Sequence, residues 1–128
     1  MSNSAAKATA VKWFNLWVRK RAAGGNDYCR CFTCGKLVDW HYDCDAGHFQ
    51  SKRYEATRFD ELNVHPQCKF CNHHLKGNIG VYYEQLDKVY GTGTAGKIIQ
   101  KSQMLCKRNR NDYLEISDKY RKLYKSLA

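Results

Sequence analysis

Cys31-Phe32-Thr33-Cys34-Gly35 and Cys68-Lys69-Phe70-Cys71-Asn72 decide how this chain folds, because each C-x-x-C turns two thiolates toward one tetrahedral ion. Gly35 suits the tight turn after the first pair, where the backbone folds back toward the sulfurs and a positive φ is needed. Seven cysteines would also fit a disulfide-braced secreted domain. Against that, no apolar stretch of signal-peptide length precedes Arg19-Lys20-Arg21. No run approaches the roughly 20 apolar residues of a membrane span. The expected compartment is therefore a reducing cytoplasm, and the expected site is structural Zn²⁺ held by Cys31, Cys34, Cys68 and Cys71. Cys29 competes with Cys31 as a ligand, but the C-x-x-C-G turn favours Cys31. Cys44 and Cys106 are spare.

The net charge of +10 is unevenly placed. Residues 1–27 hold five basic and one acidic residue, residues 92–128 nine and three, and residues 28–91 eight of each. A neutral module carried between two basic segments points to a polyanion such as DNA as partner. Glycine-rich stretches at 24–25 and 91–96 mark the same boundaries. The expected organisation within one compact domain is an N-terminal basic amphipathic helix (1–27), a four-cysteine zinc module (28–91) and C-terminal tyrosine-rich basic helices (92–128).

Val11, Phe14, Trp17 and Val18 predict an amphipathic helix over 4–22. Trp13 and Trp17 suit the core or base stacking. Thr94 can cap a helix to about Cys106, and Asp112 with Glu115 forms a capping-box-like start for a last helix burying Tyr113, Ile116, Tyr120, Leu123, Tyr124 and Leu127. In the module, residues 37–49 read as a strand or hairpin through Val38, Trp40 and Tyr42. Cys68 and Cys71 open a short helix to Leu75, and a second helix runs from 78 or 79 to Tyr90 with Ile79, Tyr82, Tyr83, Leu86 and Tyr90 on its inner face. The predicted fold class is α+β, a small treble-clef zinc module flanked by basic amphipathic helices.

Ala46-Gly47-His48-Phe49, Thr57-Arg58-Phe59-Asp60-Glu61, Asn63-Val64-His65-Pro66-Gln67-Cys68 and Cys71-Asn72 with Lys76-Gly77-Asn78 resemble the NinG (Rap) recombination proteins of lambda-like phages. More broadly, the pattern resembles the HNH endonucleases and their ββα-metal site. The resemblance is strong over about residues 28–91 and looser beyond. It implies a metal-dependent, structure-selective DNA endonuclease that cuts Holliday junctions and D-loops. It also implies that Asn63 holds the loop that orients the general base.

Phosphodiester hydrolysis needs a deprotonated water and positive charge where the phosphorane develops its own. A histidine near its ordinary pKa of about 6.5 can take the water's proton, and His48 is the candidate base. Asn72 offers a hard oxygen to catalytic Mg²⁺ or Mn²⁺. Many HNH enzymes place an aspartate just before the base histidine, where this chain has Gly47. Asp45, or alternatively His73, is then expected to complete the metal site. Lys52, Arg53, Arg58 and Lys76 are candidate phosphate contacts near the site. Lys107, Arg108 and Arg110 are candidates on the C-terminal flank. A homodimer would supply two active sites for two strands. A zinc-stabilised module that binds branched or single-stranded DNA without cutting it is the alternative, and a general HNH nicking enzyme is a third.

Overall fold

In the computed structural model, which describes residues 1–128, Ser2 caps the first helix by accepting a hydrogen bond from the Ala5 amide at 3.1 Å. That helix, α1, runs Asn3–Ala23 and ends at Gly24 in the left-handed conformation. Ala6, Ala10, Phe14, Trp17 and Val18 form its buried stripe. The two alanines leave room for the last helix to come close, and the aromatics fill the space beyond them.

That last helix, α5 (Arg110–Ser126), lies along α1. Its capping box is Asn109 with Asp112, so the helix starts earlier than Asp112 and Glu115 predict. Tyr113, Ser117 and Tyr120 are buried, whereas Ile116, Leu123, Tyr124 and Leu127 are only partly so. Phe14 meets Tyr120 edge-on at 4.8 Å and Phe59 at 5.5 Å, and Val64 closes the same core. Trp17 belongs to this core, and Trp13 tilts against Tyr124 at 5.7 Å.

Two antiparallel ribbons separate the ends. Strand β1 (Tyr28–Arg30) pairs with β2 (Leu37–Asp39), and β3 (Cys44–His48) pairs with β4 (Val64–Cys68). The single strand or hairpin predicted over 37–49 is thus divided between two ribbons. A turn at 40–43 buries Trp40 and leaves Tyr42 exposed. In β3–β4, Asp45 faces Gln67, Gly47 faces His65 and His48 faces Val64.

A short helix that the sequence does not announce, α2 (Glu55–Arg58), lies in the β3–β4 connection. A one-turn helix of π geometry covers Phe70–His74, where the short helix from Cys68 was expected. Next come α3 (Ile79–Tyr90) and α4 (Thr94–Ser102). Thr94 is the first residue of α4 and its hydroxyl donates to the Gly91 carbonyl at 2.7 Å, so Gly93 holds the cap position; the helix stops at Ser102, short of Cys106. Phe49, Tyr82, Leu86, Ala95 and Ile98 form a separate small core under α3 and α4. Of the residues expected on the inner face of α3, only Tyr82 and Leu86 are buried; Ile79, Tyr83 and Tyr90 are exposed.

Glu55 joins the flanks to the module: Oε1 accepts from Lys7 and from the Tyr113 hydroxyl, both at 2.8 Å, and Oε2 from Arg108 at 2.7 Å. Glu61 does the same for Tyr120 at 2.7 Å and Arg21 at 3.5 Å. The segments 1–27 and 92–128 are therefore packed walls of one structure, with several of their cations engaged internally. No helix is long and apolar enough to cross a membrane.

Candidate active site

The knuckle forms because the Gly35 amide turns back to the Cys31 carbonyl at 2.9 Å, with Gly35 at φ 77. The Phe32 amide then donates to the Pro66 carbonyl at 2.8 Å, binding the knuckle to β4. The sulfurs of Cys31, Cys34, Cys68 and Cys71 all lie within 4.8 Å of one another. Zinc thiolates at about 2.3 Å in a tetrahedron stand about 3.8 Å apart, the separation of Cys34 and Cys68 Sγ. The four thiols can hold one metal ion, and their geometry is compatible with structural zinc. Burial pushes the Cys31 thiol up, but hydrogen bonds from Thr33 and from nearby amides outweigh it and bring it down to about 6, whereas burial raises the thiols of Cys34 and Cys68. Cys29 does not compete: its sulfur is 3.8 Å from that of Cys44, in a separate buried pair.

Beside this cluster lies an open cleft of about 370 Å³, lined by Ala46, Ser51 and the six residues His48, Lys52, Arg53, Asn72, Lys76 and Gly77. β3 delivers His48, the Phe70–His74 turn delivers Asn72, and the turn after it delivers Lys76. Lys76 sits at φ 51, a left-handed conformation that side-chain-bearing residues adopt at a cost and that clusters at ligand-holding turns.

His48 Nε2 lies 3.0 Å from the Arg58 carbonyl. A carbonyl only accepts, so Nε2 carries the proton and Nδ1 keeps the lone pair. Nδ1 is buried and has no partner. Burial, with the Lys52 and Arg58 charges, pushes the His48 pKa down to about 4 against the pull of the Arg58 carbonyl, so the ring is neutral at neutral pH.

Asn63 is fully buried and outside the cleft. Its Oδ1 accepts from the Gln50 amide at 2.7 Å, and its Nδ2 donates to the Gln50 and Thr57 carbonyls, both at 3.0 Å. It clamps the loop after β3 onto α2, whose last residue supplies the carbonyl that holds His48.

Asp45 lies in an adjoining depression that shares Ala46, Lys52 and Asn72 with the cleft. Its Oδ1 accepts from Lys69 at 2.6 Å, and its Oδ2 from Asn72 Nδ2 at 3.0 Å and His73 Nε2 at 2.8 Å. Burial raises its pKa, but hydrogen bonds from Lys69 and Asn72 prevail and hold the carboxyl below its ordinary range. Because Asp45 takes the amide nitrogen of Asn72, the Asn72 oxygen is left for another partner. Asp45 and His73 therefore hold Asn72 from the adjoining depression, where the Asp45 carboxylate is paired with Lys69 and His73.

Of the predicted phosphate contacts, Lys52, Arg53 and Lys76 reach the cleft. Arg58 does not, since its guanidinium donates to the Lys52 carbonyl at 3.0 Å. Arg108 pairs with Glu55 and lies over the Phe59 ring at 5.2 Å, while Lys107 and Arg110 are exposed on the far flank. Motif spacing passes over Gln67, an amide in a strand buried at all five positions. The sequence carries no local signal for it; the structure gives the amide polar partners in the Thr33 hydroxyl and the Gly77 carbonyl.

The family model described as the bacteriophage lambda NinG protein matches residues 2–128. The chain belongs to the NinG family. Among its relatives, Protein ninG of Salmonella phage P22 is 31% identical over 97 residues, covering 70% of this chain and 47% of the relative. Protein ninG of Escherichia phage 933W is 33% identical over 85 residues, and that of Escherichia phage lambda 32% over 85, each match covering 60% of this chain and 41% of the relative. The match spans under half the length of each of these NinG proteins. No solved structure matches the chain.

Proposed function

We propose that this NinG-family chain is a metal-dependent endonuclease acting on branched recombination intermediates such as Holliday junctions and D-loops. What carries the reading is the cleft in which a neutral histidine with a free Nδ1, an asparagine held by a carboxylate, and Lys52, Arg53 and Lys76 converge beside the cysteine cluster.

The order of elements supports it. Ribbon β3–β4 followed by the Phe70–His74 turn has the ββα sequence of the HNH site, and the β1–β2 knuckle sharing four cysteines with that turn has the parts of a treble clef around Zn²⁺. In this arrangement the neutral His48 ring borders the cleft and is the base for the attacking water, which must gain access to the buried Nδ1. Lys52, Arg53 and Lys76 hold the phosphate and offset the charge it gains on attack. Asn72 Oδ1 is a hard donor suited to Mg²⁺ or Mn²⁺, a cation that would stabilise the leaving 3′-oxygen. Asn63 positions the base through the 50–58 loop. The products would carry 5′-phosphate and 3′-hydroxyl ends. Action in the host cytoplasm, and as a homodimer with two clefts, accords with a substrate that needs two cuts.

One observation favours a module that binds branched or single-stranded DNA without cutting: the carboxylate adjoining the cleft, Asp45, is engaged by Lys69, Asn72 and His73. The two readings part on incubating labelled four-way junction and linear duplex with the protein in Mg²⁺, Mn²⁺ or EDTA. The expected outcome is cutting of the junction alone, and only with metal. Tight binding without cutting in any metal sinks the enzyme reading, and equal cutting of both DNAs sinks the selectivity for branches, leaving a general HNH nicking enzyme.

A further inference from the structure

Helix α4 stops at Ser102, and the chain is not helical again until Arg110. Both ends of this connection are tied to the loop that builds the cleft. The buried Ser102 hydroxyl donates to Gln50 Oε1 at 3.2 Å, and the Arg108 guanidinium donates to the Glu55 carbonyl at 2.8 Å and to its carboxylate at 2.7 Å. Gln50 and Glu55 bracket Lys52 and Arg53, two of the cations lining the cleft, and Glu55 opens the helix whose Arg58 carbonyl holds His48. The connection is therefore fixed to the same loop as the cations and the base.

Between the two anchors stand Met104 and Leu105, 66% and 85% exposed, and Leu105 is the most exposed large apolar side chain of the molecule. With Arg53 and Tyr54 they line a depression of about 350 Å³, and Arg53 lines the cleft as well. Arg53 is exposed and lies over the Tyr54 ring at 5.0 Å, while Lys107 is exposed on the other side of Leu105 along the chain. The carboxylate of the same depression, Glu55, is taken up by Lys7, Arg108 and Tyr113. An apolar tip set between two free cations, with its one acid neutralised, matches a polymer that carries phosphates outside and flat apolar faces within.

We propose that Met104 and Leu105 form a wedge that enters the base stack of branched DNA at the branch point, while Arg53 holds an adjoining phosphate. The proposal rests on the branched-DNA part of the reading above and gives its selectivity a physical source. In continuous duplex, insertion has to break a stacked step, whereas at a branch point the stack is already interrupted and the same contact costs less. A second copy of this chain is a poorer occupant. Two side chains fall far short of the roughly 20–30 residues a side of a stable interface, and a two-fold contact centred on the tip would bring Arg53 and Lys107 toward their own copies.

The test uses the full chain, without added Mg²⁺ or Mn²⁺, and 2-aminopurine placed at the branch point of a four-way junction or in the middle of a linear duplex. Wild type should raise the fluorescence of the junction probe and leave the duplex probe unchanged. Met104→Ser with Leu105→Ser should abolish that rise and weaken junction binding at least about tenfold, with duplex affinity, zinc content and melting temperature unchanged. Exchanging the two residues, Met104→Leu with Leu105→Met, should keep the wild-type signal. Undiminished junction affinity in the serine variant, or an equal fluorescence rise, overturns the wedge and leaves the nuclease reading standing. A wild-type dimer in sedimentation that the serine variant dissociates also overturns it and assigns the tip to a second copy. The fluorescence rise and its loss in the serine variant, without cutting by wild type once Mg²⁺ is added, uphold the wedge and remove the nuclease. Equal wild-type affinity for junction and duplex overturns the wedge and the selectivity for branches together.

Discussion

The α1–α5 pair and the cysteine module are both small, yet they are held together by different means. The helices interlock Phe14, Trp17, Tyr113 and Tyr120 with Phe59 and Val64, an apolar core that needs no ligand. The module has strands of three and five residues, and its core is composed largely of cysteines with Ala23, Val38 and Trp40. Ribbons that short do not stabilise themselves. The four close cysteines could hold a metal ion, which would supply the cross-links that apolar area cannot. The helical walls thus fix the outer surface of the ribbon, and a metal-filled cage would fix the turn that presents Asn72.

The largest effect expected from this contrast is loss of the cage. Chelation, or Cys68→Ser, should release stoichiometric zinc and collapse the dispersion of the residue 28–77 amides in NMR, while much of the helical circular dichroism persists. Complete loss of helix on chelation would mean that the two regions are not separable. A metal analysis that finds no bound zinc would remove the contrast altogether.

Phe14→Ala probes the other region. Removing this buried ring should cost about 3–5 kcal/mol in a denaturant melt without altering zinc stoichiometry. Loss of zinc in that variant would show the cage depending on the helices.

Acid separates the regions by about 2 kcal/mol. Burial pushes the pKa of His65, held between the Tyr82 and Tyr90 hydroxyls at 3.1 and 2.8 Å, down to about 4. The unfolded chain binds this proton near pH 6.5 and the folded protein near pH 4, so the stabilisation is complete above about 6.5 and disappears as pH falls toward 4. Between pH 7 and 5, wild type should lose about 2 kcal/mol more stability than His65→Gln. Equal losses would place the acid sensitivity elsewhere, in the thiolates or His48.

The smallest effect expected is on DNA affinity. Lys107→Ala with Arg110→Ala should weaken junction binding modestly and lower its salt dependence by about one unit for each phosphate no longer neutralised. Arg108→Ala should instead lower the melting temperature, because its guanidinium is engaged by Glu55. A salt effect without a stability effect in Arg108→Ala would contradict that assignment.

The local parts of this structure were legible in the sequence. The four-cysteine set, the turn carrying Asn72, the α1 stripe and the α5 aromatics follow from spacings of three and four residues. What sequence concealed is non-local. Nothing near Cys44 announces that β3 pairs with β4, whose nearest residue lies 16 positions beyond His48. Nothing near Lys7 or Arg108 announces that both turn to Glu55. Net charge placed a DNA grip on the flanks, but charge counts cannot distinguish a cation facing solvent from one paired inside the fold. The aspartate expected before His48 was recognisably absent from sequence. Only the three-dimensional arrangement shows Asp45 engaged in holding Asn72 and the Gln67 carboxamide filling the space beside Gly47.

The central claim is that the cage supports and the cleft cuts, and single-turnover cleavage of an end-labelled four-way junction tests it most directly. Zinc-loaded His48→Ala, folded and with the wild-type melting temperature, should cut at least about 100-fold more slowly than wild type in Mg²⁺ while binding the junction equally well. Undiminished cleavage by His48→Ala would contradict the account.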